Sequence, residues 1–427
     1  MPHEIAPGVL SWASELDENT REQAERTARL PIVSGHIALM PDAHLGTGAT
    51  IGSVIATETA VIPSAVGVDI GCGMAARRLD LRVDRLPDRG LDGWVDRMRR
   101  SVPAGLGHWY REPLPAALEW LAEHPPPESL AHPDRAAAQL GTLGSGNHFV
   151  ELAVDEKGAV WILLHSGSRG GGNQLATLHT KVARRLHEGL GTRLEDPELA
   201  WLQQGTPEFD TYIRDLGWSQ RYARENRRQL LVATHRELES ELGHKIHATD
   251  EVNCHHNYTE LEKVGGRRLW ITRKGAIRAG VGDRGLVPGS MGQRSYVVRG
   301  LGNEASYRSS AHGAGRRMSR TKARKALSIE SFEARMAGRS WQASDAVALL
   351  ENEIVIIQDL ADFPGQAAGV EQVRRSQSAA GDLVFVSGAD AAAGGANGAR
   401  AHGFFTRPVE QFMVWHDDGA GRRNADS

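Results

Sequence analysis

Val160-Trp161-Ile162-Leu163-Leu164-His165-Ser166-Gly167-Ser168-Arg169-Gly170-Gly171-Gly172 runs from five apolar residues into a polar, glycine-rich turn. An unbroken apolar run this short reads as a buried strand. His165 therefore stands where a strand opens into a loop, a position that often carries chemistry. Arg169, set among serines and glycines, is a ready clamp for phosphate. The same loop would be plain surface if its arginine met only solvent.

Working outward, Pro31 to Arg78 alternates short apolar runs with glycine-rich turns and reads as strands and tight loops. Leu86 to His124 reads as helices interrupted by prolines. From Glu208 to Gly243, Phe209, Tyr212, Ile213, Leu216, Leu230, Leu231 and Leu238 recur at helical spacing with arginines between them. This predicts a long helical region, broken near Gly217 and closed by Gly243. Leu269 to Thr272 and Ser295 to Val298 read as further strands. Strands and helices mixed without regular βαβ alternation predict an α+β fold rather than a doubly wound sheet. Beyond Ser376 the texture turns to Ala, Gly, Ser and Asp, and residues 388–400 read as flexible.

The chain has 427 residues, enough for one large core or a few domains. Fifty Lys and Arg stand against 53 Asp and Glu, so a nucleic-acid partner would have to be met by a local basic patch. No run approaches the roughly 20 apolar residues that span a bilayer, and no secretory leader is legible. Two cysteines, Cys72 and Cys254, exclude a disulfide framework and suit a reducing cytoplasm.

Eighteen histidines and 48 glycines fall in short clusters, and these carry the chemistry. In Val68-Asp69-Ile70-Gly71-Cys72-Gly73 a turn can present a carboxylate and a thiolate to one cation; a structural cysteine in a bend fits equally well. Gly141-Thr142-Leu143-Gly144-Ser145-Gly146-Asn147-His148 lets backbone approach a phosphate, but it lacks the lysine of a Walker loop. In Asn253-Cys254-His255-His256-Asn257 an extended backbone turns the two histidines to opposite sides, so only one faces a given metal. In Ser310-Ala311-His312-Gly313-Ala314-Gly315-Arg316, glycines clear space around a histidine suited to attack phosphorus. The basic run at residues 316–325 is either a solvated face or a track for RNA phosphates. Asp69, Cys72, His148, His165 and His256 form a mixed O/S/N donor set that fits manganese or zinc.

Taken in order, VDIGCGM, LGTLGSGNHFVEL, HSGSRG, NCHHNY, VPGSMG and AHGAGRRMSRTKA resemble the RtcB family of RNA ligases. MPDAHLGTG and TRKGA extend the likeness, which runs from about Pro31 to Ala326. The resemblance implies an α+β fold of mixed, packed β-sheets flanked by helices, with the active site in a central cleft. It implies a catalytic region over residues 1–350 and a divergent segment over 351–427. Asp69, Cys72, His148, His165 and His256 would bind two manganese ions, and His312 would take GMP from GTP. Asn147, His148, Phe149, Val150, Glu151, His256, Asn257, Pro288, Gly289, Ser290, Met291, Ser295, His312, Gly313, Ala314 and Gly315 would line the guanylate site. Arg169 would face RNA phosphate, and Asp42 the RNA end. The implied reaction joins RNA 3′-phosphate or 2′,3′-cyclic phosphate ends to 5′-hydroxyl ends through a GMP-histidine, in the cytoplasm.

The family closes with a tyrosine and a lysine that help hold guanine, whereas this chain has no tyrosine after Tyr307 and no lysine after Lys325. A lost charge-assisted hydrogen bond to the base would cost on the order of 1.5–3 kcal/mol, roughly 10- to 150-fold in GTP affinity. Two other readings follow from that departure: a binder of RNA 3′-phosphate ends, and a two-metal phosphoesterase.

Overall fold

The computed structural model describes residues 2–315 except 88–90, 156, 192 and 290–293, and beyond them 328–331, 340–341, 370–377 and 413–416. Residues 316–325, residues 388–400 and the C-terminal tail lie outside the described residues, as do Ser290 and Met291.

The fold is α+β, as expected. One sheet orders the strands His3–Ala6, Val9–Ser11, Val33–His44, Ile51–Thr57, Arg267–Lys274 and Asn257–Val264. A second begins with Ala248–His255, Gly73–Arg82, Ala159–Ser166 and Phe149–Asp155, then continues through Val370–Gln377, Arg294–Gly300 and Arg284–Val287. A small ladder pairs Ala276–Arg278 with Ser309–Ala311. The helices are α1 (Glu18–Ala28), α2 (Asp92–Ser101), α3 (Pro115–Glu123), α4 (Asp134–Gln139), α5 (Arg169–Gly189) and α6 (Pro207–Leu242).

Ala159–Ser166 is buried along its whole length, as its continuous apolar run predicts. Its Ile162 and Leu164 join Leu152 and Val150 in a core closed by Trp94 of α2 and by Leu230, Leu231 and Leu238 of α6.

Helix α6 starts where the Thr206 side chain accepts the Phe209 N–H and Pro207 takes the first turn. It ends at Gly243 in the left-handed conformation (φ 75°), as expected. The break expected near Gly217 is absent, and the helix runs unbroken through it. A mid-helix glycine costs only about 1 kcal/mol, which the burial of Leu216, Trp218 and Tyr222 on either side outweighs.

Two consequences of this topology position the site. The four strands Ala248–His255, Gly73–Arg82, Ala159–Ser166 and Phe149–Asp155 are successive antiparallel neighbours. Gly73 lies opposite both His255 and Ser166, and Phe149 lies opposite His165. Cys72, His148, His165 and His256 therefore arrive at one end of the sheet. The chain also changes sheets at His256, between Ala248–His255 and Asn257–Val264.

Candidate active site

Cys72 is the centre of the constellation. Its Sγ lies 3.2 Å from His165 Nε2 and 3.4 Å from His148 Nε2. His165 Nε2 and His256 Nε2 are 2.9 Å apart, and His148 Nε2 is 3.2 Å from Asp69 Oδ2. Two overlapping triads result, Cys72–His165–His256 and Asp69–Cys72–His148, each with its donor atoms within 4.8 Å of one another. All five residues of the expected ligand set are thus together, and the Cys72 sulfur is common to both triads. His255 turns the other way, its Nδ1 2.8 Å from the Gly71 carbonyl, so one histidine of the pair faces the cluster.

The His165 ring is prepared for a cation. His165 Nδ1 donates to the Asn147 carbonyl (2.9 Å). A carbonyl can only accept, so the neutral ring carries its proton there and aims the Nε2 lone pair at the cluster. Burial pushes the pKa of His148 down, and those of His165 and His256 well below the usual imidazole range. Burial opposes ionisation of Asp69, but the hydrogen bond and charge of His148, with the Arg169 guanidinium, outweigh it and hold the carboxyl well below its usual range. Asp69 Oδ1 also accepts the Ser168 N–H (3.0 Å) and hydroxyl (3.2 Å). Neutral imidazoles, a carboxylate and a sulfur converging on one volume fit divalent metal, and the donor types admit manganese or zinc.

Beside this cluster stands His312, its ring centroid 4.8 Å from that of His256. It follows Ser309–Ala311, whose partner strand follows Arg267–Lys274 by one residue, Gly275. His312 Nδ1 lies 2.7 Å from Asp42 Oδ2 in an ion-pair contact. The same oxygen accepts the backbone N–H groups of His312 and Gly313 at 3.1 Å each. Asp42 is fully buried, whereas the His312 side chain is 19% exposed, so one edge of the imidazole is held and the other is open. At Gly275 (φ +65°) an added Cβ would come within 2.6 Å of Ile51 Cγ2 and 2.9 Å of His312 Cε1. Gly275→Ala is expected to displace His312 and cost about 1–3 kcal/mol of stability. Thermal unfolding checks the second effect, and a shift of the His312 ring resonances checks the first.

The remaining expected site residues are distributed unevenly. Asn147 is exposed at the end of the glycine-rich loop, and the ring centroid of Phe149 is 6.0 Å from that of His165. Val150 is packed in the core with Leu164, and Glu151 is buried on the same strand. Asn257 accepts the Gly275 N–H (2.9 Å) and so ties the sheet change to the His312 segment. The Pro288 carbonyl lies 3.6 Å from the Cβ position of Gly313, Gly289 follows Pro288 in the chain, and Ala314 packs with Val287. Ser295 is buried. Gly315 (φ +73°) lets its loop lie against the Asp42 backbone. Arg169 is turned inward, its Nη2 3.0 Å from His148 Nδ1 and 4.0 Å from Asp69. A Cβ at Gly144 would collide with its guanidinium.

Sequence reasoning placed Asp42 at an RNA end and gave no role to Gly275; the structure sets both against His312. The only signal that could have joined them is the shared motif texture of MPDAH, TRKGA and SSAHGAG.

Residues 23–352 match the family model described as tRNA-splicing ligase RtcB. The chain is 42% identical over 357 residues to the RNA-splicing ligase RtcB of Escherichia coli (strain K12), covering 77% of this chain and 85% of that protein. It is 31% identical over 393 residues to the tRNA-splicing ligase RtcB of Aeropyrum pernix (75% and 81% covered). It is 30% identical over 386 residues to the RNA-splicing ligase RtcB of Mycobacterium tuberculosis (74% and 88%).

Proposed function

This chain belongs to the RtcB family of RNA ligases, and on that premise we propose that it joins RNA 3′-phosphate or 2′,3′-cyclic phosphate ends to 5′-hydroxyl ends through a GMP-histidine formed on His312. The observation that carries the reading is the buried Asp42 carboxylate against Nδ1 of a partly exposed histidine, beside a cradle of metal donors.

A 3′-phosphate is a poor electrophile, because its oxygens are charged and none is a good leaving group. His312 first attacks the α-phosphorus of GTP: an Nε2–P bond forms and pyrophosphate leaves. Asp42 holds the proton on Nδ1, so the Nε2 lone pair points into the cleft, and its charge stabilises the imidazolium that develops. The RNA 3′-phosphate then takes GMP from His312. Finally the 5′-hydroxyl attacks the activated phosphorus and GMP departs. Two manganese ions held by Asp69, Cys72, His148, His165 and His256 would supply charge neutralisation at the phosphoryl oxygens and orient in-line attack. Asn147 and the Gly313 to Gly315 backbone would receive the nucleotide, and Arg169 would meet phosphate. No described helix is long and apolar enough to cross a membrane; with two free cysteines, we assign the activity to the cytoplasm.

The direct test supplies an RNA with a 3′-phosphate, an RNA with a 5′-hydroxyl, GTP and manganese, and looks for a joined product that vanishes when GTP or metal is omitted. A 3′-phosphate released from cyclic-phosphate RNA without GTP, and no joined product, would favour a phosphoesterase. Asp42→Asn keeps the shape but removes the charge. Label transfer from GTP to His312 is expected to slow by about 10²- to 10⁴-fold, as read in a single-turnover assay.

A further inference from the structure

Two adjacent residues of α6, Asn226 and Arg227, are fully buried and use their polar atoms on the backs of the site segments. Asn226 Oδ1 accepts the Gly141 N–H (2.8 Å). Its Nδ2 points at the Thr142 carbonyl (3.1 Å), Ser166 Oγ (3.0 Å) and the Gly167 carbonyl (3.3 Å). Arg227 Nη1 donates to the carbonyls of Gly71 (2.8 Å) and Ser166 (3.0 Å), and Nε to Asn253 Oδ1 (2.8 Å). These acceptors lie one residue before Cys72, one and two after His165, and three before His256. Asn226 also grips the start of the loop that delivers His148.

A guanidinium in a dry interior is costly unless its donors are used. Among the described residues no carboxylate stands within ion-pair distance of Arg227. Its partners are three neutral oxygens and, 3.0 Å from Nη2, the Nδ1 of His255, a spread over all three nitrogens that the guanidinium fork can serve and an ammonium cannot. Burial brings its pKa down to about 10, so it stays charged at neutral pH.

We infer that Asn226 and Arg227 are positioning residues that set the spacing of the metal cradle, by fixing from one rigid helix the four segments that carry its five donors. The inference rests on the metal reading proposed above and assigns α6 a part in it. The two residues divide the work. Arg227 spans the segments of Cys72, His165 and His256, and so governs that triad. Asn226 ties the His148 loop to Gly167, whose Cβ position lies 2.3 Å from both Asp69 carboxylate oxygens, and so governs the triad of Asp69, Cys72 and His148.

The test is metal binding by the full chain. Calorimetry with manganese gives stoichiometry and affinity, and the thiolate-to-metal absorption of the cobalt(II)-loaded protein reports the geometry at Cys72. Circular dichroism and thermal unfolding serve as fold controls. The parent should take two ions. Arg227→Lys keeps the charge and loses the fork; it should weaken one ion by about 10- to 100-fold and alter the cobalt spectrum, much as Arg227→Met does. Asn226→Asp should weaken the other ion by a similar factor. Full affinity and an unchanged spectrum in Arg227→Lys would overturn the inference, since charge alone would then suffice. If Arg227→Met fails to fold, Asn253→Asp, which keeps an acceptor for Nε, and Asn253→Ala, which releases Nε and the bond from Nδ2 to the Arg224 carbonyl (3.2 Å), decide together: a several-fold weakening in Asn253→Ala alone supports the role and none refutes it. A parent that binds no metal would instead sink the metal reading itself.

Discussion

His312→Ala, incubated with GTP labelled on its α-phosphate and with manganese, should take up no label, whereas the parent protein should be labelled and should lose the label in acid, as a P–N bond does. The expected loss is at least about 10³-fold, the scale on which removing a nucleophile leaves only binding and charge stabilisation. No neighbouring imidazole can substitute. His256 is 5% exposed and has its Nε2 2.9 Å from that of His165. His165 is committed to Asn147 and Cys72. Only His312 combines an accessible edge with a carboxylate at Nδ1. Label retained on His312→Ala would move the nucleophile elsewhere and undo the proposed mechanism, whatever the ligation assay gave.

Cys72→Ala should remove both metal sites together, because each triad includes the same sulfur. Each remaining set would hold two nitrogens, or one nitrogen and one carboxylate, and affinity for each ion should fall by at least about 10²-fold. The acidity of the thiol gives this variant a second signature. Burial, and then the Asp69 charge, push the Cys72 pKa well above the usual thiol range. The three cradle histidines have theirs pushed down by burial and are neutral near pH 7. Binding metal at neutral pH therefore expels one proton, from sulfur. Parent affinity should rise about tenfold per pH unit between about pH 6 and 8, flattening only above the raised thiol pKa. In Cys72→Ala the slope should vanish along with the affinity. Titrations at three pH values in two buffers of different ionisation heat would count the proton directly; a slope of zero in the parent would mean that the metal meets a thiolate already formed.

The metal donors and His312 were legible because each sits in a short motif whose residue types are chemically conspicuous. Strands were legible where burial on both faces left a continuous apolar run, as at Val160 to Leu164. Asp42 was expected at the RNA end, and the structure sets it against His312. Its contact is with a residue 270 positions away, and local sequence has no means of expressing that pairing. Arg227 was hidden for a different reason. An arginine between apolar residues of a helix reads as its wet face, and only the strands packed across α6 make that position fully buried. The expected break at Gly217 failed similarly, since a small local preference for disorder was set against the burial of a whole helix side.

The change of sheet at His256 also orders events in time. A chain emerging from the ribosome folds from its N-terminal side. Asp69, Cys72 and His148 can meet once the strands after Cys72 and His148 have paired through Ala159–Ser166 and α6 has brought Asn226 behind the His148 loop. The other triad waits for His256, 91 residues beyond His165, and for the strand that carries it to dock. Nucleotide chemistry waits longer still, for His312 to reach Asp42. On the proposed reading, the nascent protein owns a three-donor trap for metal before it owns a nucleophile, and the first ion would help to fold the sheet end on which the second depends.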